Sequence, residues 1–186
     1  MHPVLIITVA VIVVLLFFII TVYNRCITAR NRVKNQWAQI DVQLTRRADL
    51  VPNLVESVKG AVRHERDTLM EVMQARSNFY TSRSNGPERE IKSSDALSSA
   101  LSRLMAVAES YPELRANQNF LLLKQELSDT ETKISHSRMF YNDTVMKYNN
   151  IIQVFPTNIV AGMMGFGSEP FFEADVMART VPKVGF

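Results

Sequence analysis

Cysteine is nearly absent: Cys26 is the one thiol in 186 residues. That excludes an intramolecular disulfide framework and any zinc site built from cysteines. Histidine is scarce as well, with only His2, His64 and His136. His64-Glu65 opens like a helical zinc-protease motif, but Thr68 stands where its second histidine belongs. The Glu-x-x-His step that di-metal bundles place on facing helices is missing at both Glu126 and Glu131. There is no glycine-rich phosphate loop between a strand and a helix, and no nucleophile with a recognisable base. No catalytic, metal or cofactor residues are therefore expected, and the chain reads as non-enzymatic. Alternation of apolar and polar residues, the mark of a strand, occurs nowhere, so the fold class is all-α.

Charge is absent from residues 3–23, PVLIITVAVIVVLLFFIITVY. At about 1.5 Å per residue, a helix of this stretch spans roughly the 30 Å of a bilayer's hydrocarbon core. A cleaved signal peptide would need a basic start and small residues before the cut, and neither is present. The stretch is therefore read as an uncleaved single-pass anchor, with Cys26 as a juxtamembrane free thiol. Just beyond it, Arg25, Arg30, Arg32 and Lys34 form a basic collar without an acid among them. The positive-inside bias then predicts a cytoplasmic main domain, with the N-terminus outside the membrane. Most of the excess behind the net charge of +3 lies in this collar. It is accounted for by membrane lipid as a partner, with no nucleic acid required.

Glycine and proline are both missing from residues 4–51, so nothing local obliges the anchor helix to stop at the interface. Its uniform apolarity changes into a stripe of Val33, Trp37, Ile40, Leu44 and Ala48, which predicts a helix that runs on into a bundle. Pro52, with Asp49 as a capping candidate, predicts a tight reversal. A single kinked helix would also keep the stripe in phase. A second helix is expected over 52–83, with Val55, Val58, Val62, Leu69, Val72 and Phe79 inward and Gly60 inside it as a point of close approach. A loop at 82–88 and a third helix over 92–109 follow, the helix burying Leu97, Leu101, Leu104, Met105 and Ala108. The fourth helix, 112–154, carries the longest stripe, from Phe120 through Thr130, Ile134, Tyr141 and Tyr148 to Ile152. The organisation expected is an anchor over 1–24, an antiparallel up-and-down four-helix bundle over 25–155, and an irregular apolar tail over 156–186. The tail and its approach supply an interaction surface of Phe155, Ile159, Met163, Met164, Phe166, Phe171 and Phe172, either folded back on the bundle or offered to a partner or membrane surface.

The order of motifs resembles the bacterial LemA family. After the anchor come WAQID at 37–41, RRADLVPNLV at 46–55, YPEL at 111–114 and LSDTETKI at 127–134, then Arg138, Tyr141-Asn142, Tyr148-Asn149 and Phe155-Pro156. The resemblance implies a four-helix bundle on a bacterial inner-membrane anchor and favours the reversal at Pro52. It brings no enzymatic role and no cofactor. Neighbouring genes in that family, for membrane metalloproteases or TPM-domain proteins, imply an accessory or scaffold role. The expectation is a homo-oligomer that organises lipid or a membrane protein partner, with a monomeric regulatory subunit as the alternative. Arg47 with Asp49, or Arg138 with Glu131, are expected as ordinary ion pairs or as the polar core of an interface, the structural role being favoured.

Overall fold

The computed structural model describes residues 2–61 and 65–172, and among these every regular element is a helix. Helix α1 spans His2–Lys59, α2 Arg66–Ser82, α3 Pro87–Glu109, α4 Pro112–Arg115, α5 Gln118–Gln153 and α6 Thr157–Met163. A 3-10 turn at Arg83–Asn85 leads into Gly86, whose φ of +93° is open to glycine at little cost. Helix α3 starts at Pro87, earlier than expected, because proline suits a first helical turn and Ile91 extends the buried face.

The reversal expected at Pro52 does not occur. Helix α1 continues through Pro52 to Lys59, so Asp49 caps nothing. Proline leaves the carbonyl of residue i−4, here Ala48, without its helical donor. Arg76 of α2 supplies that donor, its Nε giving a hydrogen bond to the Ala48 carbonyl at 2.9 Å. Asp49 instead accepts a hydrogen bond from the Tyr80 hydroxyl. Gly60 also departs from expectation, for it lies just past the end of α1 and a Cβ there would meet nothing within 4 Å. The expected inward Val62, and His64, fall outside the described residues.

The fourth expected helix is divided. After α4, the Asn117 side chain accepts from the backbone N–H groups of Asn119 and Phe120 at 3.0 and 3.2 Å, an N-cap that starts α5 afresh. Along α5, Phe120, Thr130, Ile134, Tyr141, Val145, Tyr148 and Ile152 are buried, as the stripe predicts. Thr130 bonds back to the Glu126 carbonyl at 2.7 Å, which satisfies its hydroxyl within its own helix.

The chain divides into two compact units. Unit 1 comprises Met1–Ala38 and Met139–Phe171, and unit 2 comprises Gln39–Arg138 and Phe172–Phe186. In unit 1, Val22, Cys26 and Val33 of α1 are buried, as are Tyr141, Val145, Tyr148 and Ile152 of α5 and Val160 and Ala161 of α6. Trp37 is half-buried and meets the Tyr141 ring edge-on at 5.5 Å. In unit 2 the core gathers Ile40, Leu44, Ala48, Val51 and Leu54 of α1, Val72 and Phe79 of α2, and Leu97, Leu101 and Leu104 of α3.

Candidate functional site

The N-terminal part of α1 is long and apolar enough to cross a membrane, and none of its most apolar stretch is buried in the protein. Its side chains from Val4 through Phe17 stand in the open, and Val22 is the first to be covered, at 5% exposed. The chain beyond α5 reaches this end of the apolar stretch: the Phe166 ring lies edge-on to Tyr23 at 5.8 Å.

The four collar residues do not act as one patch. On a helix turning 100° per residue, positions 25 and 32 fall on nearly the same side and position 30 on another. Arg25 and Arg32 are exposed and line a groove of about 700 Å³, together with Asn24, Thr28, Lys147 and Asn150. Among the described residues, no carboxylate lines this groove. Arg30 is turned toward the tail and pairs with Glu169 at 3.5 Å. Lys34 is exposed and is not among the groove's lining residues.

The tail is more ordered than its composition suggests. Its first part is helix α6, and its second part, 166–172, lacks regular structure but is fastened residue by residue. Backbone carbonyls outside a helix must find donors elsewhere. Three side chains of α5 supply them. The Tyr148 hydroxyl donates to Gly167 O at 2.8 Å, and the Tyr141 hydroxyl donates to Pro170 O at 3.0 Å. The Asn149 amide both donates to Glu169 O and accepts from Glu169 N, each at 3.0 Å. Burial, helped by Glu169, pushes the Tyr141 phenol up to about 12, so it remains a donor at any ordinary pH. Burial raises Tyr148 as well.

The expected interaction residues separate into two sets. Phe155, Ile159, Met163, Met164 and Phe171 are exposed, with Met163 at 79%. Phe166 is half-buried against Tyr23. Phe172 is buried in unit 2, where the Arg138 guanidinium sits 4.1 Å above its ring. The tail residues 173–186 fall outside the described residues. Tyr148 and Asn149 were missed as clamps, although polar tips on an otherwise apolar stripe facing a glycine-rich segment are a readable signal.

Unit 2 holds buried charge. Arg47 is fully buried and donates to the Ser94 carbonyl at 2.8 Å and the Ser94 hydroxyl at 2.7 Å, and also to the Ser98 hydroxyl. Its ion pair is with Glu131 at 3.0 Å, and that of Arg138 is with Asp95 at 2.8 Å. Both pairings differ from those expected, because interhelical packing and not sequence proximity brings the partners together. Burial lowers the Arg47 pKa while Glu131 opposes it. Nearby, Glu90 of α3 is buried, and burial plus the hydrogen-bonded carboxylate of Asp41 pushes it up to about 7, against a smaller opposing effect of Arg83. Asp41 itself accepts from Arg83 at 2.7 Å. Among the described residues, no cluster of three or more His, Cys, Asp or Glu is placed to hold a metal.

The LemA family model matches residues 36–186, which is most of the chain. The chain belongs to the LemA family. The match covers the buried arginine, the tyrosine and asparagine clamps and the tail. Protein LemA of Metamycoplasma hominis is 27% identical over 89% of this chain and 80% of its own length. Magnetosome protein MamQ 2 of Paramagnetospirillum magneticum is 23% identical over 92% of this chain and 72% of its own. Magnetosome protein MamQ of Magnetospirillum gryphiswaldense is 23% identical over 81% of this chain and 64% of its own. None of these names specifies an enzymatic activity, and a LemA-family chain with an N-terminal helix of this length and apolarity has the makings of a membrane-associated protein.

Proposed function

We propose that this LemA-family chain is a non-enzymatic, membrane-anchored scaffold that self-associates in a bacterial inner membrane. Residues 3–23 cross the bilayer, the collar keeps the rest on the cytoplasmic side, and α1 beyond residue 24 packs with α2, α3 and α5 as an antiparallel four-helix bundle. The observation that carries this is α1 itself: one unbroken helix holds both the apolar span and the buried stripe Ile40, Leu44, Ala48 and Val51. No protease-sensitive linker separates anchor from domain. Side-by-side assembly would gather many spans and so organise lipid.

Light scattering and imaging of the intact protein, extracted in mild detergent, test this directly. A discrete oligomer, matched by crosslinks formed in native membranes, is the expected result. Monomer in both settings would overturn self-assembly. It would favour the alternative, a regulatory subunit of a membrane complex, which the exposed Phe155, Ile159 and Met163 support. In that case a membrane protein partner is recovered in fixed stoichiometry and lost when Ile159 and Met163 are replaced by aspartate.

A further inference from the structure

We infer that the groove carrying Arg25, Arg32 and Lys147 binds the phosphate headgroup of an anionic phospholipid. The inference rests on the proposal that residues 3–23 cross the bilayer, and three observations lead to it.

The first is depth. Arg25 and Thr28 follow the span by roughly 3 and 8 Å along the helix at about 1.5 Å per residue, and Arg32 by roughly 14 Å. The polar layer on each side of a hydrocarbon core is about 5–8 Å thick, so the mouth of the groove lies among headgroups.

The second is charge. Arg25 and Arg32 present two guanidinium groups two turns apart on one side of α1, and among the described residues neither is engaged by a carboxylate. Lys147 faces them from α5, partly neutralised by Asp143 at 2.6 Å. Asn24 and Asn150 add amide donors. Planar guanidinium forks suit the tetrahedral oxygens of a phosphate.

The third is what surrounds the site. The chain after α5 reaches the end of the span, where Phe166 meets Tyr23 and Val22 is covered. Helix α6, in the same unit, buries Val160 and Ala161 and leaves Ile159 and Met163, one turn apart, exposed. An apolar face left in water is unfavourable, and at the level of the headgroups it has acyl chains to meet. The occupant is therefore a lipid whose phosphate enters the groove while its chains lie along the span and this face. The same geometry divides the collar, since Arg30 is held by Glu169 and Lys34 lies outside the groove.

The test uses the full chain in mixed phosphatidylcholine and phosphatidylglycerol bilayers. Native mass spectrometry of the released protein reads which lipids stay bound. Wild type should retain phosphatidylglycerol selectively, and the Arg25→Gln/Arg32→Gln variant should lose that selectivity by roughly 25-fold, given roughly fivefold per base near an anionic surface. Both residues are exposed, so the variant keeps its core. Arg30→Gln/Lys34→Gln removes the same charge and should keep most of the selectivity. Equal loss in the two variants would overturn the groove in favour of a diffuse collar. Displacement of the lipid by millimolar inorganic phosphate would show an anion site without lipid preference, which also overturns it. Release of the chain from membranes by alkaline carbonate would remove the anchor, and the headgroup site with it; retention combined with equal loss in both variants would remove only the site.

Discussion

The two units solve the problem of buried polarity in opposite ways. Unit 1 buries neutral tips, Tyr141, Tyr148 and Asn149, and spends them on backbone carbonyls of a segment without regular structure. Unit 2 buries a full charge, Arg47, between helices, where it gathers side-chain and backbone acceptors. Neutral donors lose little on leaving water and need one acceptor each, whereas a guanidinium must keep several partners at once. Unit 1 should therefore tolerate losses one clamp at a time, and unit 2 should not.

The largest expected effect is Arg47→Ala. It opens a cavity and leaves the Ser94 hydroxyl and two further acceptors without a donor, so destabilisation of roughly 3–5 kcal/mol is expected. Chemical unfolding of detergent-solubilised protein, followed by circular dichroism, measures it. A cost no greater than that of a tyrosine clamp would erase the contrast between the units. Glu131→Gln should cost less than about 1 kcal/mol, because that carboxylate is half exposed.

Next comes the Glu90–Asp41 pair. A carboxyl raised to about 7 from an ordinary 4.5 binds more protons folded than unfolded, so stability is full below about 4.5 and falls as pH rises through about 7. The fall should be on the order of 3 kcal/mol by linkage. Glu90→Gln keeps an amide donor toward Asp41 and should flatten the dependence, leaving the variant more stable than wild type at pH 8. Unfolding midpoints measured across pH for both proteins decide this. Parallel curves would mean that the carboxyl is ionised in the folded chain.

Asn149→Ala should be milder and local. It removes two hydrogen bonds to Glu169, worth about 1 kcal/mol each. Hydrogen exchange should quicken at 167–170 and stay unchanged in α2 and α3. Exchange that rises everywhere would show the tail and unit 2 opening together.

The smallest effect sharpens the comparison inside α1. Arg76→Met should cost about 1 kcal/mol in wild type, where the Ala48 carbonyl depends on it, and less beside Pro52→Ala, which restores the helical donor. A double-mutant cycle reads the coupling, and strict additivity would rule out compensation of the proline by Arg76.

Much of the fold was legible because burial follows helical period. In the stripe of α1, Val33, Ile40, Leu44 and Ala48 are buried where spacing put them and Trp37 is half-buried; in that of α5, Phe120, Thr130, Ile134, Tyr141, Val145, Tyr148 and Ile152 are buried, while Leu123, Leu127 and Ser137 are half-buried. Pro52 was misread because its breaking tendency is local, while the remedy comes from Arg76 on another helix. The partners of Arg47 and Arg138 were misassigned for the same kind of reason, since Glu131 and Asp95 reach them only through packing. Helix α6 escaped notice because a seven-residue helix, with Gly162 within it, carries little periodic signal. The division of the collar, by contrast, was readable: Arg25 and Arg32 lie seven residues apart and Arg30 does not share their side.

The membership of the units also dictates the order of events during biosynthesis. Unit 1 joins the first 38 residues to a segment that begins at Met139. The apolar stretch therefore leaves the ribosome long before its companion segment exists. At about 5–20 residues per second, the hundred residues in between take roughly 5–20 s to appear. Over that interval Trp37 has no Tyr141 ring to pack against. The main segment of unit 2, Gln39–Arg138, is contiguous and is synthesised before the second segment of unit 1.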